Sequence, residues 1–121
     1  MHLTMGLTLA LVFQLAHVVE ATHFADAHQD VLHIEDEWAV HQVQTTADFA
    51  THNKIISWFT GGLNFQVEHH LFPKISHVHY PVIHKFVKEA CRKFSITHND
   101  YPSMISALRS HFRLMRQLGT Q

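Results

Sequence analysis

Gln66, His69 and His70, in the stretch GGLNFQVEHHLFP from Gly61 to Pro73, are the residues of this chain best suited to do chemistry. On a helix they stand at i, i+3 and i+4, so all three side chains project from one face. Two imidazoles and an amide oxygen converging on one point outline a metal site. Imidazole suits iron, zinc and copper alike, so the spacing alone does not name the metal. The chain holds 14 histidines in 121 residues and a single cysteine, Cys91. Nitrogen ligands rather than thiolates are therefore expected to carry the metal chemistry. Glu68, between the ligands in sequence, points elsewhere on the helix and reads as a supporting or surface partner.

The elements that must position these residues are helical, and the expected fold class is all-α. Pro73 ends the glutamine–histidine helix, while Gly61-Gly62 breaks the chain before it and permits close backbone approach. Before the glycines, Ile55 to Phe59 is a short apolar run whose Trp58 and Phe59 suit a membrane interface. Asp36 to Phe49 reads as a helix with Trp38 and His41 one turn apart. After Pro73 come two amphipathic helices. Val82, Ile83, Phe86, Val87, Ala90, Cys91 and Phe94 form the stripe of the first, with Pro81 in its opening turn. Met104, Ile105, Leu108, Phe112 and Met115 form the stripe of the second, with Ser103 as its N-cap. Both stripes are expected to be packing faces, and His77, His79, His84, His98 and His111 are expected at interfaces or on the surface.

The N-terminus carries a second signal. From Leu3 to Val19 there is no formal charge, and with its flanks the stretch approaches the roughly 20 residues that cross a bilayer as a helix. A transmembrane helix over 1–22 is expected, with a cap over 23–121, and a buried helix of a soluble protein is the competing reading. Neither a basic leader nor a small-residue cleavage site is present, so a secretory signal is not expected. Gln14 and His17 lie on one face near the end of this helix, and polar side chains at such depth usually face a bundle interior or a site. Lysine and arginine follow the span and none precedes it, which predicts a cytoplasmic C-terminal part. Thr22 to Glu35, with His23 and His28, reads as a loop along the membrane surface.

Charge is segregated although the formal net charge is only −1. Seven of ten acidic residues precede Lys54, and eight of nine basic residues follow Pro73. A basic end facing phospholipid head groups, a nucleotide or an acidic carrier is one expectation, and an ordinary solvated helix face is the other. No nucleic-acid partner is expected. The lone cysteine excludes an internal disulfide.

HQVQTTADFATHN (41–53) and WFTGGLNFQVEHHLFPKISHVHYPVI (58–83) together resemble the C-terminal part of membrane fatty acid desaturases, closest to the front-end, acyl-lipid or linoleoyl-CoA class. The resemblance covers nearly the whole chain. It implies a helical membrane bundle whose cytosolic cap holds two irons on three histidine boxes. The third box is usually H-x-x-H-H; in the front-end class glutamine replaces its first histidine, as Gln66, His69 and His70 do here at 66–70. It also implies that His17 ligates iron, with Gln14, His41 and Glu68 supporting the ligands. The chain departs from the pattern in having no first or second box, and Asp48 stands where the family often has asparagine. A C-terminal portion of a longer desaturase is therefore expected.

The resemblance further implies an O2-dependent oxidoreductase that inserts a double bond into a fatty acyl chain carried on coenzyme A or lipid. The bilayer and an external electron donor, a cytochrome or ferredoxin, are the implied partners, and a diiron centre is the implied cofactor. A sphingolipid desaturase or hydroxylase of the same superfamily, or a non-catalytic membrane-anchored metal-binding protein, are the alternatives. Four candidate ligands, His17, Gln66, His69 and His70, are too few for two irons, so the chain by itself is expected not to desaturate.

Overall fold

A computed structural model describes residues 2–20 and 38–120. The expected loop over 22–35, with His23 and His28, lies outside the described residues. The architecture is mostly helical: α1 (His2–His17), α2 (Trp38–Thr45), α3 (Lys54–Phe59), α4 (Gln66–Leu71), α5 (Tyr80–Lys93) and α6 (Met104–Leu118). Two short strands, β1 (Asp48–Phe49) and β2 (Asp100–Tyr101), pair in parallel with Asp48 opposite Asp100. The all-helical expectation thus needs one correction. The predicted helix through Phe49 stops at Thr45, and the backbone of Asp48 and Ala50 donates instead to the carbonyls of Asn99 and Tyr101, at 2.8 and 2.9 Å. Asn99 adds side-chain bonds from its Nδ2 to the carbonyls of Gln44 and Thr46, each 3.2 Å.

The expected transmembrane helix over 1–22 is not supported by the described residues. α1 is 16 residues long, and no helix among the described residues is long and apolar enough to cross a membrane. At 1.5 Å per residue it reaches about 24 Å, against a hydrocarbon thickness of about 30 Å. Its C-terminal end is drawn into the domain by tertiary hydrogen bonds. The Ala16 carbonyl accepts from the Ala47 N–H at 2.8 Å, and His111 Nδ1 donates to the Val18 carbonyl at 2.7 Å. Leu15 of that end is fully buried, whereas Leu3, Met5, Leu7, Leu9 and Phe13 remain exposed.

Two apolar clusters hold the elements together. Leu15, Phe49, Ala50 and Ala107 join α1, β1 and α6, with Ile56, Tyr101, Met104 and Leu108 packed around them. Val43, Val67, Val87 and Cys91 join α2, α4 and α5. α4 enters the second of these through Val67 of its first turn, with Leu71 packed beside it. The predicted stripes on α5 and α6 pack only in part: Val87 and Cys91 are buried and Met104 and Leu108 half-buried, while Val82, Phe86, Phe94, Ile105, Phe112 and Met115 are exposed. His84 and His111 occupy the buried faces in their place. Ser103 caps α6 as expected, through a reciprocal bond with Ser106.

The approach to α4 is fixed by polar bonds. Asn64, fully buried, donates from Nδ2 to the Phe49 carbonyl at 3.2 Å and to Ser57 Oγ at 3.0 Å, and accepts from Thr60 Oγ1. Gly61 and Gly62 both adopt positive φ, 61° and 81°. Their surroundings differ. A Cβ on Gly61 would meet open space, but one on Gly62 would come within 2.6 Å of the His77 Cβ. Positive φ costs an L-residue about 1–2 kcal/mol and overpacking about 1–3 kcal/mol more. Gly62→Ala is therefore expected to destabilise the fold by about 2–4 kcal/mol and Gly61→Ala by about 1–2. Denaturant midpoints of the two variants check this, and equal midpoints would contradict it.

Candidate metal centre

α4 places its ligand-type side chains on two sides. Phe65 caps the helix without a side-chain bond, and Asp48 compensates by accepting the Val67 N–H on Oδ1 at 3.0 Å. That bond ties the start of α4 to β1 and fixes the rotation of the helix. His69 and His70 then stand partly buried on one side, while Glu68 is fully buried on the other.

On the histidine side three rings come together. His70 lies 5.1 Å from His17 and 5.9 Å from His69, centroid to centroid, both edge to face. His17 reaches the group from the last residue of α1 and is hydrogen-bonded to the backbone of Thr45. His70 Nδ1 is 3.0 Å from Gln42 Oε1, and His69 Nδ1 is 3.2 Å from the Tyr80 hydroxyl. An amide oxygen only accepts, so His70 Nδ1 carries the proton and Nε2 presents its lone pair. Burial, reinforced by the neighbouring His17 and His69, pushes the His70 pKa below its usual value. A neutral imidazole is the form that ligates metal. Partners that orient ligating histidines typically contribute 10–100-fold in metal affinity. Gln42→Ala and Tyr80→Phe are each expected to weaken metal binding by about that factor. Titration with a divalent metal against a chelator of known affinity checks this, and unchanged affinity in both variants would contradict it.

The other candidates sit differently. Gln66 is 1% exposed, and its Nε2 has no hydrogen-bond partner, an unsatisfied buried donor one turn before His70. Gln14 and His41 are exposed. His41 is thus not turned inward, and its neighbour Gln42 holds His70 instead. Residues one apart on a helix differ by about 100° in direction, which is why the pair separates.

On the opposite side Glu68 joins a polar cluster that sequence reasoning did not assemble. His84 Nδ1 lies 3.1 Å from Glu68 Oε1 and 3.3 Å from Asp48 Oδ2, and His98 Nε2 lies 3.2 Å from Asp48 Oδ2. Glu68 is therefore no surface residue, His84 and His111 are buried, and His98 is half-buried with its side chain largely covered. Burial alone would lower the His84 pKa, but hydrogen bonds and charge from Asp48 and Glu68 outweigh it and raise the value to about 9. Burial raises Glu68, whereas close contact with His84 and His98 and the hydrogen bond from the Val67 N–H overcome burial at Asp48 and lower it. A signal for His84 was available in the sequence. Tyr80, His84, Val87 and Cys91, at i, i+4, i+7 and i+11, are the buried face of α5.

Comparison with known proteins agrees with the motif. The family model for fatty acid desaturases matches residues 1–102. The sn-1 linoleoyl-lipid 6-desaturases of Synechocystis sp. and Arthrospira platensis are 42% and 44% identical to the chain over 118 residues, 98% of it. The acyl-lipid (8-3)-desaturase of Physcomitrium patens is 40% identical over 94% of it. The chain spans about a third of the length of the first two relatives and about a quarter of the third. No solved structure matches. With the motif, the family match and these relatives in agreement, the chain belongs to the fatty acid desaturase family.

Proposed function

We propose that this chain is the metal-binding C-terminal portion of a front-end, acyl-lipid desaturase, contributing His17, His69, His70 and Gln66 to a diiron centre completed by ligands from the rest of the enzyme. The observation that carries this reading is the cluster of His17, His69 and His70, with Nδ1 of the α4 pair engaged by Tyr80 and Gln42. A donor set of neutral imidazoles held by outer partners suits iron. Iron bound there would supply the oxidising power, drawn from O2 and two electrons, that removes hydrogen from unactivated methylenes.

The chain's own residues do the positioning. Gln42 keeps the His70 proton on Nδ1, and Tyr80 fixes the ring of His69. Gln66 offers an amide oxygen to the metal, or its unpartnered amide nitrogen to whatever binds beside it. The buried clusters around Val67 and Leu15 keep water from the inner side of the histidines. The exposed apolar turns of α1, together with Ile55, Trp58 (83% exposed) and Phe59 of α3, supply contact with lipid. The basic residues after Pro73 favour a cytoplasmic disposition of that part, next to anionic head groups. A fatty acyl lipid is the substrate and a cytochrome or ferredoxin the electron donor in this reading.

A swap tests it. The chain replaces its counterpart in the Synechocystis desaturase, and the chimera is supplied with labelled linoleoyl lipid. A new double bond in the labelled product is expected. A folded, membrane-inserted chimera that leaves the lipid unchanged would refute the reading.

A further inference from the structure

We infer that Asp48, Glu68, His84 and His98 form a second metal site, separate from the histidines of α4 and built for one zinc-like divalent ion. The four residues come from β1, α4, α5 and the segment before β2, and each offers one ligand atom, all within 4.8 Å of one another. Two imidazole nitrogens and two carboxylate oxygens match zinc and related transition metals, whereas calcium and magnesium favour all-oxygen shells.

The spacing agrees with a tetrahedral shell. Bonds of about 2.0–2.1 Å put ligand atoms roughly 3.3 Å apart around such an ion. Three of the separations are 3.1, 3.3 and 3.2 Å, for Glu68–His84, Asp48–His84 and Asp48–His98. The remaining pairs need only contract from within 4.8 Å.

Unused polar atoms make an independent observation. Asp48 and Glu68 are 0% exposed, and the side chain of His98 is 6% exposed. Asp48 Oδ2, Glu68 Oε2 and both ring nitrogens of His98 nevertheless lack an aligned hydrogen bond. His84 Nδ1 is hydrogen-bonded to Glu68 Oε1, so these atoms are polar capacity left over beyond the bond the cluster makes within itself. Two buried carboxylates beside two imidazoles make an anionic, water-poor donor set in which a divalent ion can take the place of the His84 proton.

Access and outer support are present as well. His84 and His98 line a cleft of about 700 Å³ that gives an ion a path in. Asp100 Oδ2 lies 3.8 Å from His84 Nε2 and is anchored by Lys88 Nζ at 2.6 Å, the carboxylate that commonly stands behind a ligating histidine. Because Glu68 precedes His69 directly, an ion here would brace α4 from the side opposite its histidine pair. The site is structural in character and does not depend on the desaturase reading.

The test uses the 121-residue chain carrying His69→Ala and His70→Ala, which removes the α4 imidazoles, and Zn2+ or Co2+ alone as the probe. One equivalent of Zn2+ should bind and raise the unfolding midpoint by about 10 °C at a hundredfold excess over Kd. Adding Glu68→Gln or His98→Gln should weaken binding at least about a hundredfold. Absence of Zn2+ binding at micromolar concentration, or affinity unchanged by both further substitutions, overturns the proposal and leaves a proton-sharing network. Should either added substitution cost helical circular dichroism, the Co2+ spectrum of the chain without it decides. Intense tetrahedral bands support the site, and the pale spectrum of octahedral Co2+ overturns it.

Discussion

Replacing His69 or His70 by alanine should abolish desaturation in an enzyme that carries this chain, a loss of well over a hundredfold. Partners that merely orient a ligating histidine are worth about 10–100-fold, and removal of the ligand itself exceeds that. The expected signature is a fall in turnover together with bound iron, while helical content is retained, because both rings are only partly buried and neither belongs to an apolar cluster. His111→Ala is the contrasting variant. Its Nδ1 bonds the Val18 backbone carbonyl and not the side chain of a proposed ligand, so it should cost about 1–3 kcal/mol of stability and leave iron content intact. Product analysis and metal content of the three variants check the pattern. Full turnover in either His69→Ala or His70→Ala would remove that residue from the metal.

Asp48→Ala should be among the most destabilising single substitutions in the chain. The carboxylate accepts the Val67 N–H that starts α4 and lies within 3.3 Å of both His84 and His98. Breaking a buried charged contact of this kind costs about 3–5 kcal/mol. For a domain of this size that lowers the unfolding midpoint by roughly 10–20 °C. Asp48→Asn keeps an oxygen for Val67 and should lose less. Thermal unfolding followed by circular dichroism makes the measurement, and an Asp48→Ala midpoint within about 2 °C of the parent would contradict the role assigned to Asp48.

Much of the fold was legible wherever a local rule governs. Pro73 stops α4 after Leu71 and Ser103 caps α6, each dictated by side chains within a few residues. The β1–β2 pairing was not legible, because two-residue strands 52 positions apart in register leave no periodicity to read. The end of α1 was misread for a related reason. Hydropathy continues to Val19, but Ala47 and His111 take up the carbonyls of Ala16 and Val18, and neither partner is visible from the segment itself.

The candidate metal centre divides in the same way. Spacing along one helix singles out Gln66, His69 and His70, and depth in an apolar stretch singles out His17, whose role as a ligand came only through the resemblance to the family. The support was harder to find. Gln42 and Tyr80 are orienting groups only because α2 and α5 pack on α4, and such tertiary choices leave no mark on spacing. The Asp48–Glu68–His84–His98 cluster draws on four separate segments, and only the α5 register hinted that His84 faces inward.

The central claim, that α4 and the end of α1 present iron ligands, is tested most directly by counting iron. Chimeric desaturase carrying this chain, and its His17→Ala, His69→Ala and His70→Ala variants, are loaded anaerobically with Fe2+, desalted and assayed for iron per polypeptide. Two irons in the parent and a clear loss in each variant is the predicted result. Iron content equal to the parent in all three variants would contradict the account.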